Sequence, residues 1–332
     1  MYKGLYKLQS RAQRSGYTLR LSRPREYFGY IFSSGLIEKT RFSFASSNFS
    51  FTECVRKYNS ILHLSNTISC IDNPYSDCPT MPQANLTKAG ISFFSNCNFT
   101  NLATDDHGAA VVCTASHSAI ALTSCSFSSC ISSFNGGAVF SDGSFNTLSV
   151  TKCFFKDCVS NSAEEYPGGG GICMESSSSS LSVSSSMFIN CKAQTNPRGG
   201  GGFFASQIQH SHTVSCRFIF CSANTAGGAI FFWHLENEFF VGDTLFTSNS
   251  AGWSGGAIRE LSNAHSNTMH IKFSFFTGNI APDGLGTDFS VQPEIAVIPF
   301  SNSFSTESSN RVSVYKNETE VQTKTDNWTP EG

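Results

Sequence analysis

Asp105, Asp106 and His107 are the residues of this chain whose types and adjacency come nearest to chemistry. Cleaving a glycosidic bond takes a pair of carboxylates, or a carboxylate set holding Ca²⁺ beside a basic Arg or Lys, and a neighbouring imidazole can carry a proton. Three adjacent side chains do not suffice, because a further acidic group must arrive from elsewhere in the chain. Asp142, Asp157, Glu175 and Asp243 fall at different phases of the repeat described below, so none is expected to join them. Asp105, Asp106 and His107 therefore read as a solvated turn. No catalytic residue is assigned, and the chain is not expected to be an enzyme.

Other chemistry-bearing residues reduce in the same way. His117, His210, His234 and His265 follow glycine-rich stretches by seven to ten residues, but unequal loops leave them unaligned and they read as ordinary exposed histidines. Phe231, Phe232, Trp233 and Trp253 offer an aromatic patch for a sugar or protein partner, although strand alternation should bury about half of them. Gly168 to Gly171 and Gly199 to Gly202 precede no helical pattern, so they are not phosphate-binding loops and no cofactor is expected. No Cys-x-x-Cys pair appears among the thirteen cysteines, so no metal centre is expected either.

These residues are positioned by a repeat. Two apolar residues spaced by two, then Cys-x-Phe-x-x-Cys, then Gly-Gly-Ala-Ile recur, most clearly as Ile120, Leu122, Cys125, Phe127, Cys130, Gly136, Gly137, Ala138 and Val139. Phe99, Phe127, Phe155, Phe188, Phe218, Phe246 and Phe276 mark successive copies 28 to 33 residues apart, too short for separate domains. Apolar and polar residues alternate within each copy, as in Leu148-Ser149-Val150, which is the period of a strand with one buried face. Three short strands per copy, two fixed corners and one variable loop describe a coil of a right-handed parallel β-helix. About seven such coils at a spacing of about 4.8 Å would make a rod roughly 30 Å long.

Stacked coils turn repeated residues into ladders. The seven Phe should fill the interior. Cys97, Cys125, Cys153 and Cys216 should form one column and Cys130, Cys158, Cys191 and Cys221 a second, so eight of the thirteen cysteines take two structural positions. Three fates are open to them: packing as small apolar groups, disulfides within a coil such as Cys125 to Cys130, or metal binding. Asn249 and Asn279 replace Cys in the second column and suit a corner, since Asn tolerates left-handed torsion and its amide bonds locally. The glycines suit a corner where torsion or close approach excludes a Cβ.

Gly255 to Ile258 taken with Phe246 to Asn249 resembles the paired Gly-Gly-Ala-Ile and Phe-x-x-Asn motifs of the chlamydial polymorphic membrane proteins and their pmp-like relatives in protists. The resemblance covers roughly residues 90 to 290. It implies a β-helical region displayed on a surface and engaged in adhesion, with a host or cell-surface protein or glycan as partner. Most corner positions carry Cys where that family has Asn, and no membrane-type strand barrel follows, so the chain looks more like the Cys-rich protist members. The pectin-lyase-like fold of polysaccharide lyases and hydrolases is also a β-helix, which makes such an enzyme the alternative, with a purely structural spacer as a third reading.

Composition agrees with an all-β solenoid: 31 Phe, 27 Gly and 13 Cys combine strand and turn formers. With 22 Lys+Arg against 24 Asp+Glu, no field would steer nucleic acid. No segment has membrane-spanning length, and Met1 to Arg20 lacks the apolar run of a secretory signal, so an exported protein with this start is expected to be incomplete. Sequons begin at Asn48, Asn85, Asn98, Asn317 and Asn327. The organisation expected is an irregular or disordered segment over 1–40, a degenerate first coil or cap over 41–89 including Phe51 and Cys54, repeats over 90–290, and a cap with a disordered polar tail over 291–332.

Overall fold

The structure is a computed structural model describing backbone strands at 26–33, 36–43, 67–69 and 73–76, residue 78, and residues 81–161, 168–194, 199–235, 237–261, 268–282 and 286–291. The side chains of 238 and 268 are excepted, and backbone strands are described again at 296–300, 303–304, 312–316 and 319–324. Phe51, Cys54, Cys70 and His265 lie outside the described residues.

Short runs of alternating apolar and polar residues, punctuated by Gly, Asn and Ser, cannot bury a face alone and must stack. One coil runs Ala119–Thr123, Ser126–Ser128, Ile131–Ser132 and Val139–Ser141. Each run pairs in parallel and in register with its equivalent one coil on, as Ile120 with Leu148, Phe127 with Phe155, Ile131 with Val159 and Val139 with Ile172. The described elements are all strands, arranged as a right-handed parallel β-helix of about seven turns. Two runs of each coil join a wide sheet of seventeen strands; the Phe-bearing run joins a sheet of eight and the shortest run a sheet of six.

The interior follows the expected ladders. Phe99, Phe127, Phe155, Phe188, Phe218, Phe246 and Phe276 are fully buried, with successive ring centroids 4.5–5.2 Å apart and planes within 8° of parallel. Coil spacing thus sets ring spacing, and each stacked pair adds roughly 0.5–1.5 kcal/mol beyond burial. The fifth copy lacks its apolar pair because Ser211 and Thr213 occupy those inward positions, beside Leu181 and Val183 on one side and Phe239 and Val241 on the other.

The paired glycines divide the two roles expected of them. Gly136 has φ +65°, whereas at Gly137 a Cβ would fall 2.1 Å from the Gly170 carbonyl oxygen of the next coil. The Asn expectation needs correction. Asn249 and Asn279 are not themselves left-handed; Ser248 (φ 52°) and Gly278 (φ 59°) before them are, as is the residue before every second-column Cys from Ser129 to Phe220. The amide bonding does hold. Asn249 Nδ2 donates to the Phe218 carbonyl at 3.0 Å, and Oδ1 accepts from the Cys221 N–H at 2.9 Å.

Strand pairing also occurs outside residues 90–290. Glu26–Ser33 and Leu36–Ser43 pair antiparallel, and Thr67–Ser69 runs parallel to the second strand. Past residue 291, Ala296–Phe300 pairs with Thr268–Lys272, and Ser303–Phe304 places Phe304 in register with Phe276, so parallel pairing continues into the segment expected to be a cap. Before residue 90, Ala84–Leu86 already pairs with Val111–Cys113.

Candidate functional site on the outer wall

Counted from the glycines, the first run of each coil in the wide sheet sends alternate residues into the core: Met174 is buried there, so Glu175 after it points outward. Ser141 pairs with Met174, which puts Asp142 and Glu175 at the same position on adjacent coils. The two carboxylates therefore share one phase, contrary to the expectation from spacing, because the insertion before Gly168 moves Glu175 along the sequence without moving it around the coil. Asp157 and Asp243 do lie elsewhere, each in a left-handed corner position with φ 53° and 48°. The column continues from Glu175 through Ser206 and Trp233 to Leu261. Three coil spacings, about 14 Å, separate Asp142 from Trp233.

His107 joins this column from the preceding corner. Its ring stacks on Phe140, centroids 4.2 Å apart, and its Nδ1 accepts the Asn135 N–H at 3.2 Å, leaving the proton of the neutral ring on Nε2. Nε2 lies 3.9 Å from Asp106 Oδ1, and that oxygen also accepts the His107 N–H at 2.8 Å. Burial lowers the His107 pKa, opposed by Asp106 and Asp142; burial raises that of Asp142, opposed by His107. The fully buried Asn135 carries its amide to Glu175, Nδ2 to Oε2 at 3.3 Å. His107 thus sits near Asp142, and Asn135 links its corner to Glu175, while Asp106 is exposed. Asp105 is exposed as well, and nothing draws it into the group.

Two residues back, the outward row is covered rather than wet. Phe140, Cys173, Phe204 and Phe231 are buried and form a second apolar cluster with Ala226, against which Trp233, Trp253 and Leu261 pack. Of the expected aromatic patch, Phe231 and Phe232 are thus buried and Trp233 and Trp253 half-buried. Within these first runs, from Val111–Cys113 to Phe289–Val291, Arg259 is the only cation. It is fully buried, its guanidinium 5.3 Å from the Trp253 ring, and its Nη1 donates to Ser290 Oγ. Four coil spacings, on the order of 19 Å, part it from the Phe140 level, so acid and base do not converge.

The remaining expected positions resolve by register. His117 and His234 occupy one left-handed corner column, with Phe145, Ser178 and Gln207 between them, whereas His210 lies in a strand opposite Ser180. The eleven described cysteines form no disulfide, and ten of them are buried. In the first column Cys125 donates to the Thr123 carbonyl and Cys216 to that of Val214, just as Ser186 and Thr244 donate to Ser184 and Gly242, which explains why Cys, Ser and Thr interchange there. Burial pushes the Cys216 thiol up to about 11. Among the described residues, no three His, Cys, Asp or Glu side chains gather as a metal site would require, and no helix is long and apolar enough to cross a membrane.

No family model, curated protein or solved structure matches this chain.

Proposed function

We propose that the protein is a non-enzymatic binding β-helix, secreted or displayed at a cell surface, that engages a glycan along the column from Asp142 to Trp233. The observation that carries this reading is the column itself: carboxylates at one end, a half-buried indole at the other, and the small Ser206 between them over about 14 Å. Indole faces take sugar rings, and carboxylates accept hydroxyl or amine protons. With no cation beside Asp142 and Glu175 in these runs, neutral or amino sugars suit the strip better than uronic acids. The resemblance to the polymorphic membrane protein repeats supports adhesion as the purpose, and exposed Asn85 and Asn98 in sequons are compatible with secretion.

A glycan array probed with the full chain tests the proposal. Binding to neutral or amino glycans is expected, with Trp233→Ala weakening it at least tenfold, about 1.4 kcal/mol. No glycan bound, or equal binding by Trp233→Ala, would refute it and favour a spacer. The adjacency of Asp142 and Glu175 favours a second reading, a glycoside hydrolase of the pectin-lyase-like fold. That reading requires release of reducing ends from a bound glycan, lost in Asp142→Asn.

A further inference from the structure

The interior holds a geometry that packing alone does not call for. Ile131 pairs with Val159, Val159 with Lys192 and Lys192 with Ser222, so Cys130, Cys158, Cys191 and Cys221 stand directly above one another on four successive coils. Their side chains adopt one repeated pose: Cys130, Cys158 and Cys221 each lie 3.6 Å from the carbonyl oxygen of the Phe one coil earlier. Along the column each thiol has the next as its neighbour, Cys158 lying between Cys130 and Cys191, and Cys191 between Cys158 and Cys221. Identical poses on a repeating backbone set the sulfurs about one coil spacing apart, about 4.8 Å. A disulfide does not fit that gap, because it requires Cβ atoms about 3.8 Å apart.

A single ion does fit. Two metal–sulfur bonds of about 2.3 Å laid end to end span about 4.6 Å, close to the coil spacing. We infer that the thiol ladders are linear two-coordinate sites for soft monovalent d¹⁰ ions of the Cu(I) and Ag(I) class, each ion lying between cysteines of adjacent coils. Soft thiolates select such ions. Zn²⁺, which takes four ligands, finds no such set, in keeping with the absence of any three-residue cluster among the described residues. A thiolate that bridged two ions would have to bend, and sulfurs in line do not allow it, so each sulfur serves one ion: the four cysteines of the second column hold two, and Cys97, Cys125 and Cys153 hold one, with Ser186 ending that run. Each sulfur that binds loses its proton to solvent, so each pair of thiolates holding one ion carries one net negative charge. The carbonyls that now accept the S–H groups would then face the cations.

Counting Ag⁺ against protein on the equilibrated, desalted full chain tests this without redox chemistry. The number of adjacent thiol pairs, not of thiols, should govern uptake. Cys191→Asn leaves Cys221 without a partner and should lose one ion, the double variant Cys191→Asn with Cys221→Asn should lose that same one ion and no more, and Cys173→Ser should lose none. Asn occupies the equivalent position in the next two coils, and Cys191→Ser serves if the Asn variant lacks the strand signature in circular dichroism. Equal losses per thiol removed, no uptake by the folded chain, or Zn²⁺ uptake with the same variant dependence would each overturn the inference.

Discussion

Asn249→Ala is expected to destabilise the fifth and sixth coils by about 3–5 kcal/mol, and the reason is local. The Asn249 amide is fully buried and donates to Phe218 O at 3.0 Å and Asn279 Oδ1 at 2.9 Å, while accepting from the Cys221 N–H at 2.9 Å. Truncation strips the Cys221 N–H and the Phe218 carbonyl of this partner in a dry interior, at about 1–3 kcal/mol for each group left unsatisfied. Asn249→Cys should cost only about 1–2 kcal/mol, since a thiol there can reach the carbonyl as Cys221 reaches Phe188 O at 3.6 Å, though it leaves the N–H without the amide oxygen. Coils contact only their neighbours, so the loss should stay local, and hydrogen exchange followed by mass spectrometry is the assay. Amides of residues 221–223 and 249–251 should exchange at least about a hundredfold faster in the Ala variant, each tenfold being about 1.4 kcal/mol. An acceleration below tenfold, equal damage from Cys and Ala, or an equal effect around Cys130 would refute the account of the corner.

Phe155→Ala, which empties a rung stacked at 4.5 and 4.6 Å on its neighbours, should cost about 3–5 kcal/mol in urea unfolding, while outward-facing Phe154→Ala costs under about 1 kcal/mol. Gly137→Ala should prevent accumulation of soluble protein, because its Cβ would meet the backbone of the next coil at 2.1 Å, where no flexible side chain can yield. His107 is held below its ordinary value of 6.5 by burial, so the folded state binds the proton less readily than the unfolded chain. Its contribution is therefore fully present above about pH 6.5 and is lost as the pH falls below it. Asp142, raised above 3.8 by burial, has the opposite sign: its contribution is present below that value and is lost as the pH rises through its folded pKa. Thermal melting from pH 7 to pH 5 should show a smaller loss in His107→Gln than in the parent; equal losses would remove His107 from the account.

The ladders were legible because each rung is a single residue type at a fixed distance from its neighbours: Phe155 needs no structural knowledge beyond Phe127 and Phe188. The wall was not, because outward residues carry no repeat. Asp142 and Glu175 are 33 residues apart, like Phe155 and Phe188, but the acids belong to no recurring motif, so their phase could be read only by counting back from Ser141 and Met174 through the glycines. That count was available in the sequence. The neighbours of His107 were not, since the approach of Asn135 depends on the path of a loop between corners. Asn249 was misread by one residue because a corner distributes its demands: the residue before it takes the left-handed torsion, and Asn249 supplies the hydrogen bonds.

That division of labour bears on why Cys and Asn exchange at the second corner. The left-handed residue alone turns the chain, and Ser129, Asp157, Asn190, Phe220 and Ser248 all accomplish it with φ between 51° and 54°. The next residue is then free to be anything small that satisfies the preceding carbonyl. Asn does so with a strong donor and adds an acceptor, so Asn249 and Asn279 chain together, Asn249 N–H to Asn279 Oδ1 at 3.0 Å, and Asn279 Nδ2 on to Asp288 Oδ1 at 2.9 Å. Cys does so weakly but is apolar and leaves no amide to satisfy. The C-terminal coils are therefore fastened by hydrogen bonds and the N-terminal coils by sulfur packing. It follows that thiol-directed oxidants or soft ions should act on the coils from Cys97 to Cys221 and spare those beyond Asn249, a polarity that exchange rates measured along the chain would reveal directly.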